Sequence, residues 1–211
     1  MGTKGRFLTI FVTSIFLMLA IFTAGCAVFS SQVKDVKSED PNRALFNHWH
    51  AICLNVDDEE VDHFAAEEMS KLTEPFYDDW LSIFMCAQSK SDLSYKSLAW
   101  AGQLSSKFSE MKIVAQLVYW KKITDDDERL QKIFQYTLYK MYWEAESFKE
   151  WAVVTKFANC ETYNDLFLES LSRMASLANT FKEWKCVYDI APKDNAIRKI
   201  AFYRMIGMVK P

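Results

Sequence analysis

The chain has 211 residues, of which only 5 are Gly and 4 Pro; half are hydrophobic, a quarter are charged, and the formal net charge is −3. Gly2, Gly5 and Gly25 lie at the start, so only Gly102 and Gly207 serve the rest. That excludes sandwiches, barrels, doubly wound sheets and phosphate-cradling loops, which need glycine for positive φ or close backbone approach. The apolar half, with 16 Phe, 9 Tyr and 7 Trp, excludes disorder, and an all-α fold with a substantial core is expected.

The first element is a targeting segment. Lys4 and Arg6 precede an uncharged apolar run, Phe7 to Phe22, which closes on Thr23-Ala24-Gly25-Cys26. A basic region, an apolar region and a small-residue exit are the parts of a secretory signal. The stretch Phe22-Thr23-Ala24-Gly25-Cys26 resembles the lipobox of bacterial lipoproteins, although Thr23 stands where that family usually has Leu. In that family the cysteine thiol is acylated, for example with palmitate, and the peptide bond before it is cut.

The resemblance implies a signal peptide over 1–25, a lipidated tether over 26–40 beginning at Cys26, and a folded domain over 41–211. Two alternatives stay open: an uncleaved anchor, since Phe7 to Phe29 is long enough to cross a hydrocarbon core, and an ordinary cleaved signal. All three place the domain outside the cytoplasm. Arg6 stands where a myristoylation signal wants Ser or Thr. Ala27, rather than Asp, follows the cysteine, so the expected site in a Gram-negative cell is the outer membrane, facing the periplasm. Removing Lys4 and Arg6 from 25 basic side chains leaves 23 against 28 acidic ones, a formal charge of −5. This balance argues against nucleic acid as a partner, because the phosphate backbone rewards a basic patch.

Helix-start signals follow: Asp40-Pro41, Asp57 before an acidic turn, Thr73 to Pro75, Ser91-Asp92, Thr124 with Asp127, Thr162 to Asp165, and Pro192 to Asp194. No run alternates with period two, so no sheet is expected. The segment from Phe134 to Trp151 can be laid on Phe167 to Trp184 at an offset of 33, matching Phe, Leu, Met, Ala and then Phe-Lys-Glu-Trp. The spacing of Phe134, Leu138, Met141 and Ala145 is that of one helix face, so the repeat preserves a packing surface. Followed backwards with a one-residue slip, the register takes in Trp100, Leu104, Met111, Val114 and Leu117, and before them Met69, Phe76, Trp80 and Ile83. About five helix-turn-helix units are predicted, near 42–73, 75–107, 109–143, 145–178 and 180–208, or the same helices paired one step out of phase.

A period of 33 to 34 with paired helices resembles tetratricopeptide-like repeats, which implies a right-handed α-solenoid. The spacing departs from that family, because Ala145 and Phe148, like Ala178 and Phe181, are separated by two residues where the family has three. A non-repetitive helical bundle is the alternative.

Four cysteines remain after Cys26. Cys53, Cys86 and Cys186 stand 33 and 100 residues apart and so take nearly equivalent places in their units; a Cys53–Cys86 disulfide fits that geometry, and Cys160–Cys186 follows by exclusion. Four free thiols are the alternative. His48, His50 and His63 cluster around Cys53, good ligand types for zinc or copper, but His48 and His50 point about 200° apart on a helix. No metal or other cofactor is expected. The acidic runs Asp57 to Glu60 and Asp125 to Glu128 lack the spacing and glycine of a calcium loop and read as helix caps.

No Gly-x-Ser-x-Gly elbow, His-Glu-x-x-His helix or Gly-rich phosphate loop is present, so no enzyme is expected. Tyr136, Tyr139 and Trp143 lie on the side of their helix away from the Phe134 stripe; they either pack against a neighbouring unit or meet a partner, and Tyr and Trp dominate binding hot spots. The expected function is that of a lipid-anchored scaffold or adaptor holding a partner protein or peptide in an envelope assembly of outer-membrane, pilus or secretion type. The alternatives are a periplasmic ligand- or metal-binding protein using His48, His50 and His63, and a small envelope hydrolase.

Overall fold

The computed structural model describes residues 40–73, 76–124, 127–158 and 163–209. The expected signal segment, Cys26, nearly all of the expected tether and Cys160 lie outside them. Contacts divide the chain at Asp40, and the unit Pro41–Pro211 is the folded domain. Among the described residues it is all-helical, with no strand.

The helices are α1 (Pro41–Asn55), α2 (Glu59–Leu72), α3 (Tyr77–Cys86), α4 (Asp92–Leu104), α5 (Phe108–Thr124), α6 (Glu128–Glu144), α7 (Phe148–Ala158), α8 (Asn164–Leu177), α9 (Phe181–Ile190) and α10 (Ala196–Met208). They pack most closely as the hairpins α1/α2, α3/α4, α5/α6, α7/α8 and α9/α10, and each hairpin touches the next in chain order. The five units begin and end within three residues of the expected ones, and their pairing is in phase. No described helix is long and apolar enough to cross a membrane.

Local chemistry starts these helices where the capping residues stand. Asp58, Ser91, Asp127, Thr180 and Asn195 accept backbone N–H bonds from the first turns of α2, α4, α6, α9 and α10. Three units share a further device, in which a glutamate reaches back to the N–H groups ahead of its own helix. Glu110 Oε2 accepts from Ser106 and Lys107, Glu150 Oε2 from Glu146 and Ser147, and Glu183 Oε2 from Asn179 and Thr180. The acidic runs thus serve as caps where they are described, at Asp58 and Asp127; Asp125 and Asp126 lie outside the described residues.

The repeated stripe is the core. Leu138, Met141, Leu171, Met174, Val154 and Val187 are wholly buried, with Phe134, Phe167, Trp151 and Trp184 nearly so. Burying such side chains stabilises by roughly 1.5–3 kcal/mol each, and stacked hairpins are what complete the burial. Further back the expected register is corrected. Trp100 is exposed and Leu104 and Leu117 are only half-buried, whereas Leu98, Ala101, Met111 and Val114 are buried, 40 residues before Leu138, Met141, Trp151 and Val154. The cause is length: α5 and α6 have 17 residues each, against 11 and 14 in α7 and α8. Phe76 is also exposed, at the start of α3 and ahead of the buried Trp80 and Ile83.

The same offsets of 40 and 33 relate Ser97, Thr137 and Ser170, buried hydroxyls in the middle of α4, α6 and α8. Each donates to a carbonyl of its own preceding turn, Leu93, Ile133 and Phe167 respectively, so a small polar group is satisfied without a distant partner. Gly102 lies where α4 meets α5 and α6. A Cβ there would stand 3.2 Å from Thr137 Oγ1 and 3.6 Å from Val114 Cγ1. Gly102 therefore allows a close approach of these helices.

Cys53 near the end of α1 and Cys86 at the end of α3 form a disulfide with Cα atoms 5.9 Å apart. At the opposite end of α3 from the disulfide, the Asp79 carboxylate is buried and receives Arg43 Nη1 of α1 at 2.6 Å and the Thr73 hydroxyl at 3.2 Å. Cys186 is a free thiol among the described residues. It is not equivalent to Cys86: α3 and α9 both have ten residues, and Cys86 is the last of its helix while Cys186 stands one turn earlier in its own.

Candidate interaction surface

Helix α6 has two faces. Leu130, Phe134, Thr137, Leu138 and Met141 are buried, which exhausts one side at 3.6 residues per turn. Tyr136, Tyr139 and Trp143 fall within about 60° of one another on the other side. There they are exposed by 48%, 44% and 78%. Packing against a neighbouring unit, the ordinary explanation for such a stripe, does not cover them.

The ridge is held from below. Between its members, Lys140 Nζ donates to the carbonyls of Gly102, Gln103 and Ser105 at 3.1, 2.9 and 2.7 Å. It closes the C-terminal end of α4, where helix carbonyls lack partners and a cation suits the dipole. The same ammonium lies 5.7 Å from the Tyr136 ring centre. Trp143 stands edge-on to Tyr142 at 5.3 Å, and Tyr142 edge-on to Trp151 of α7 at 5.4 Å. A hydrogen bond to the Glu169 carboxylate, with burial, pushes the Tyr142 hydroxyl pKa up, so that phenol is a neutral structural anchor. Two of the three exposed rings are thus oriented by fixed neighbours, which lowers the ordering cost of binding.

Sequence reasoning missed Lys140. Its acceptors lie 35 to 38 residues earlier, and nothing local marks a lysine as a cap for another helix. It also missed Tyr119 and Trp120 near the end of α5, which are exposed although Tyr119 leans on Phe134 and Phe157 at 6.2 Å. A shallow depression between the first turns of α5 and α7 is bordered by Lys107, Phe108, Lys112, Lys149 and Glu150. The Glu150 carboxylate there is taken up by its cap, and the Ser147 N–H first of all holds its pKa below the usual carboxylate range.

The histidines do not converge. His48 is exposed; His50 is half-buried beside Phe46, and burial, then the Arg43 charge, lowers its pKa. His63 Nδ1 accepts the Gln88 N–H at 3.3 Å while Nε2 lies 3.6 Å from Glu67. Cys53 is held in its disulfide and is no thiolate. Among the described residues no three His, Cys, Asp or Glu side chains are grouped to hold a metal ion. Comparison with family models, curated proteins and solved structures finds no match.

Proposed function

We propose that this chain is a lipid-anchored envelope protein whose helical repeats form a scaffold, and that it binds a partner protein or peptide through Tyr136, Tyr139 and Trp143. The observation that carries the reading is the exposure of three aromatic side chains on one face of α6 while the opposite face, Leu130, Phe134, Thr137, Leu138 and Met141, is buried. Large aromatic rings in water are a poor use of apolar area unless something covers them. Their fixed supports, Lys140 and Tyr142, favour a recognition surface over incidental exposure.

Export is supported by the Cys53–Cys86 disulfide, since such bonds persist in oxidising compartments. Acylation of Cys26, an outer-membrane address and continuation of the hairpins as a right-handed solenoid rest on the sequence resemblances. An affinity experiment tests the binding surface: the full chain and its Tyr136→Ala/Tyr139→Ala/Trp143→Ala variant are used as bait in solubilised envelope. Loss of a stoichiometric partner by a variant that keeps its helical circular dichroism is expected. Retention of every wild-type partner overturns the proposal.

A further inference from the structure

The two ends of the hairpin series differ from its middle. Helices α4, α6 and α8 bury six, five and five residues, but α1 buries only Phe46 and α10 only Ala201. Helix α10 meets the fold along a narrow seam, Ile197, Ala201 and Met205, at i, i+4 and i+8. The side away from that seam shows Ile200, Phe202, Tyr203 and Ile206 to solvent. Isolated exposed apolar residues need no explanation, but four on one side of a helix form a patch.

The charges on the two end hairpins are opposite. From Asn195 to Val209 the chain carries Arg198, Lys199 and Arg204 and no acid. Arg198 turns inward to the Ala191 carbonyl, while Lys199 and Arg204 stay exposed on the patch. Helix α2 carries Glu59, Glu60, Asp62, Glu67 and Glu68 against Lys71 alone, with Asp57 and Asp58 just before it. Phe64 is exposed on α2 one turn from Glu60 and one from Glu68, and Leu45 is exposed on the Trp49 side of α1. Phe64 is edge-on to Trp49 at 5.6 Å, so its ring is already oriented.

We infer that a second copy of this chain docks head to tail, with the acidic α1/α2 hairpin of one molecule covering the basic, apolar α10 of the next. Within the chain each hairpin completes its burial against the following one, and the contact between copies extends that stacking. Charge decides the orientation. A symmetric α10-to-α10 contact would set Lys199 and Arg204 against their own copies, and a symmetric α2-to-α2 contact would oppose acids; only the mixed contact pairs unlike signs. Such a contact is heterologous, so it adds copies in a row and does not stop at a closed pair.

Sedimentation velocity on the full chain in detergent, over a range of concentration, tests this. Two variants block one end each: Tyr203→Glu places an acid on α10, and Phe64→Arg places a base among the acids of α2. The wild type is expected to grow beyond a dimer as concentration rises, and to dissociate in high salt. Each variant alone should stay monomeric with unchanged circular dichroism, because both positions are at the surface. An equimolar mixture should give a dimer and nothing larger, since one intact head meets one intact tail. A wild type that stays monomeric overturns the inference, as does self-association of either variant or a mixture that remains monomeric.

Discussion

At Gly102 one missing methyl group sets how closely three helices meet. A Cβ at 3.2 Å from Thr137 Oγ1 requires the threonine to give way by a few tenths of an ångström. Gly102→Leu is therefore expected to cost about 1–3 kcal/mol by overpacking, read as a fall in the urea midpoint. The pair Gly102→Ala and Thr137→Ala should be non-additive by about 0.5 kcal/mol or more, the double variant being more stable than the sum of the singles. Additive values would place the contact elsewhere. The capping glutamates make a second residue-scale prediction. Backbone N–H bonds, from Ser147 to Glu150 and from Asn179 to Glu183, hold those pKa values below 4.5; at Glu110 burial pulls upward, and the Ser106 and Lys107 N–H groups outweigh it. A depressed folded pKa means stability that is complete above the ordinary carboxylate value and is lost as pH falls through the folded one. The melting temperature of the wild type should drop more steeply below about pH 4.5 than that of Glu110→Gln/Glu150→Gln/Glu183→Gln. Parallel curves would rule out the charge-assisted cap.

Between elements, the disulfide joins the first and second hairpins across 33 residues of sequence. Closing a loop of that length restricts the unfolded chain by about 3–4 kcal/mol, so Cys53→Ser/Cys86→Ser should lower unfolding free energy by that order. A variant as stable as the wild type would show that the bond is not formed in solution. The pairing was legible because both cysteines come near the ends of first helices in units of similar length. Extending the same arithmetic to Cys186 failed, since α5 and α6 are longer than their counterparts, and period counting cannot see added turns. The slip that put Trp100 in the core has the same origin. Periodicity within a helix was reliable because buried faces repeat every 3.6 residues, and it located Leu138, Met141, Leu171 and Met174 correctly.

For the molecule as a whole, binding and folding are expected to separate. Replacing Tyr136, Tyr139 and Trp143 by Ala removes exposed rings and no buried contact of the core stripe, so the melting temperature should change by no more than a few degrees while partner capture is lost. A large fall in stability would show that the rings support the fold. Anchoring is testable apart from binding: Cys26→Ala should abolish palmitate incorporation and detergent partitioning, whereas unchanged membrane behaviour would favour an uncleaved anchor over Phe7 to Phe29. The aromatic ridge was visible in sequence as a second face on a helix whose first face was already assigned. Its exposure was not, because a neighbouring hairpin could equally have covered it.

Glycine scarcity, capping residues and the repeated apolar stripe determined by themselves that the fold is all-α and where its helices lie to within a few residues, since each acts through local backbone geometry or helix periodicity; their pairing as α1/α2 onwards was left open. Only the tertiary structure decided which side chains the stacking leaves in water, and which distant groups meet. Lys140 reaching three carbonyls at the end of α4, Gly102 opposite Thr137, and a last described helix that meets the fold along the narrow seam of Ile197, Ala201 and Met205 all depend on how hairpins of unequal length align, and that alignment is set by packing between units.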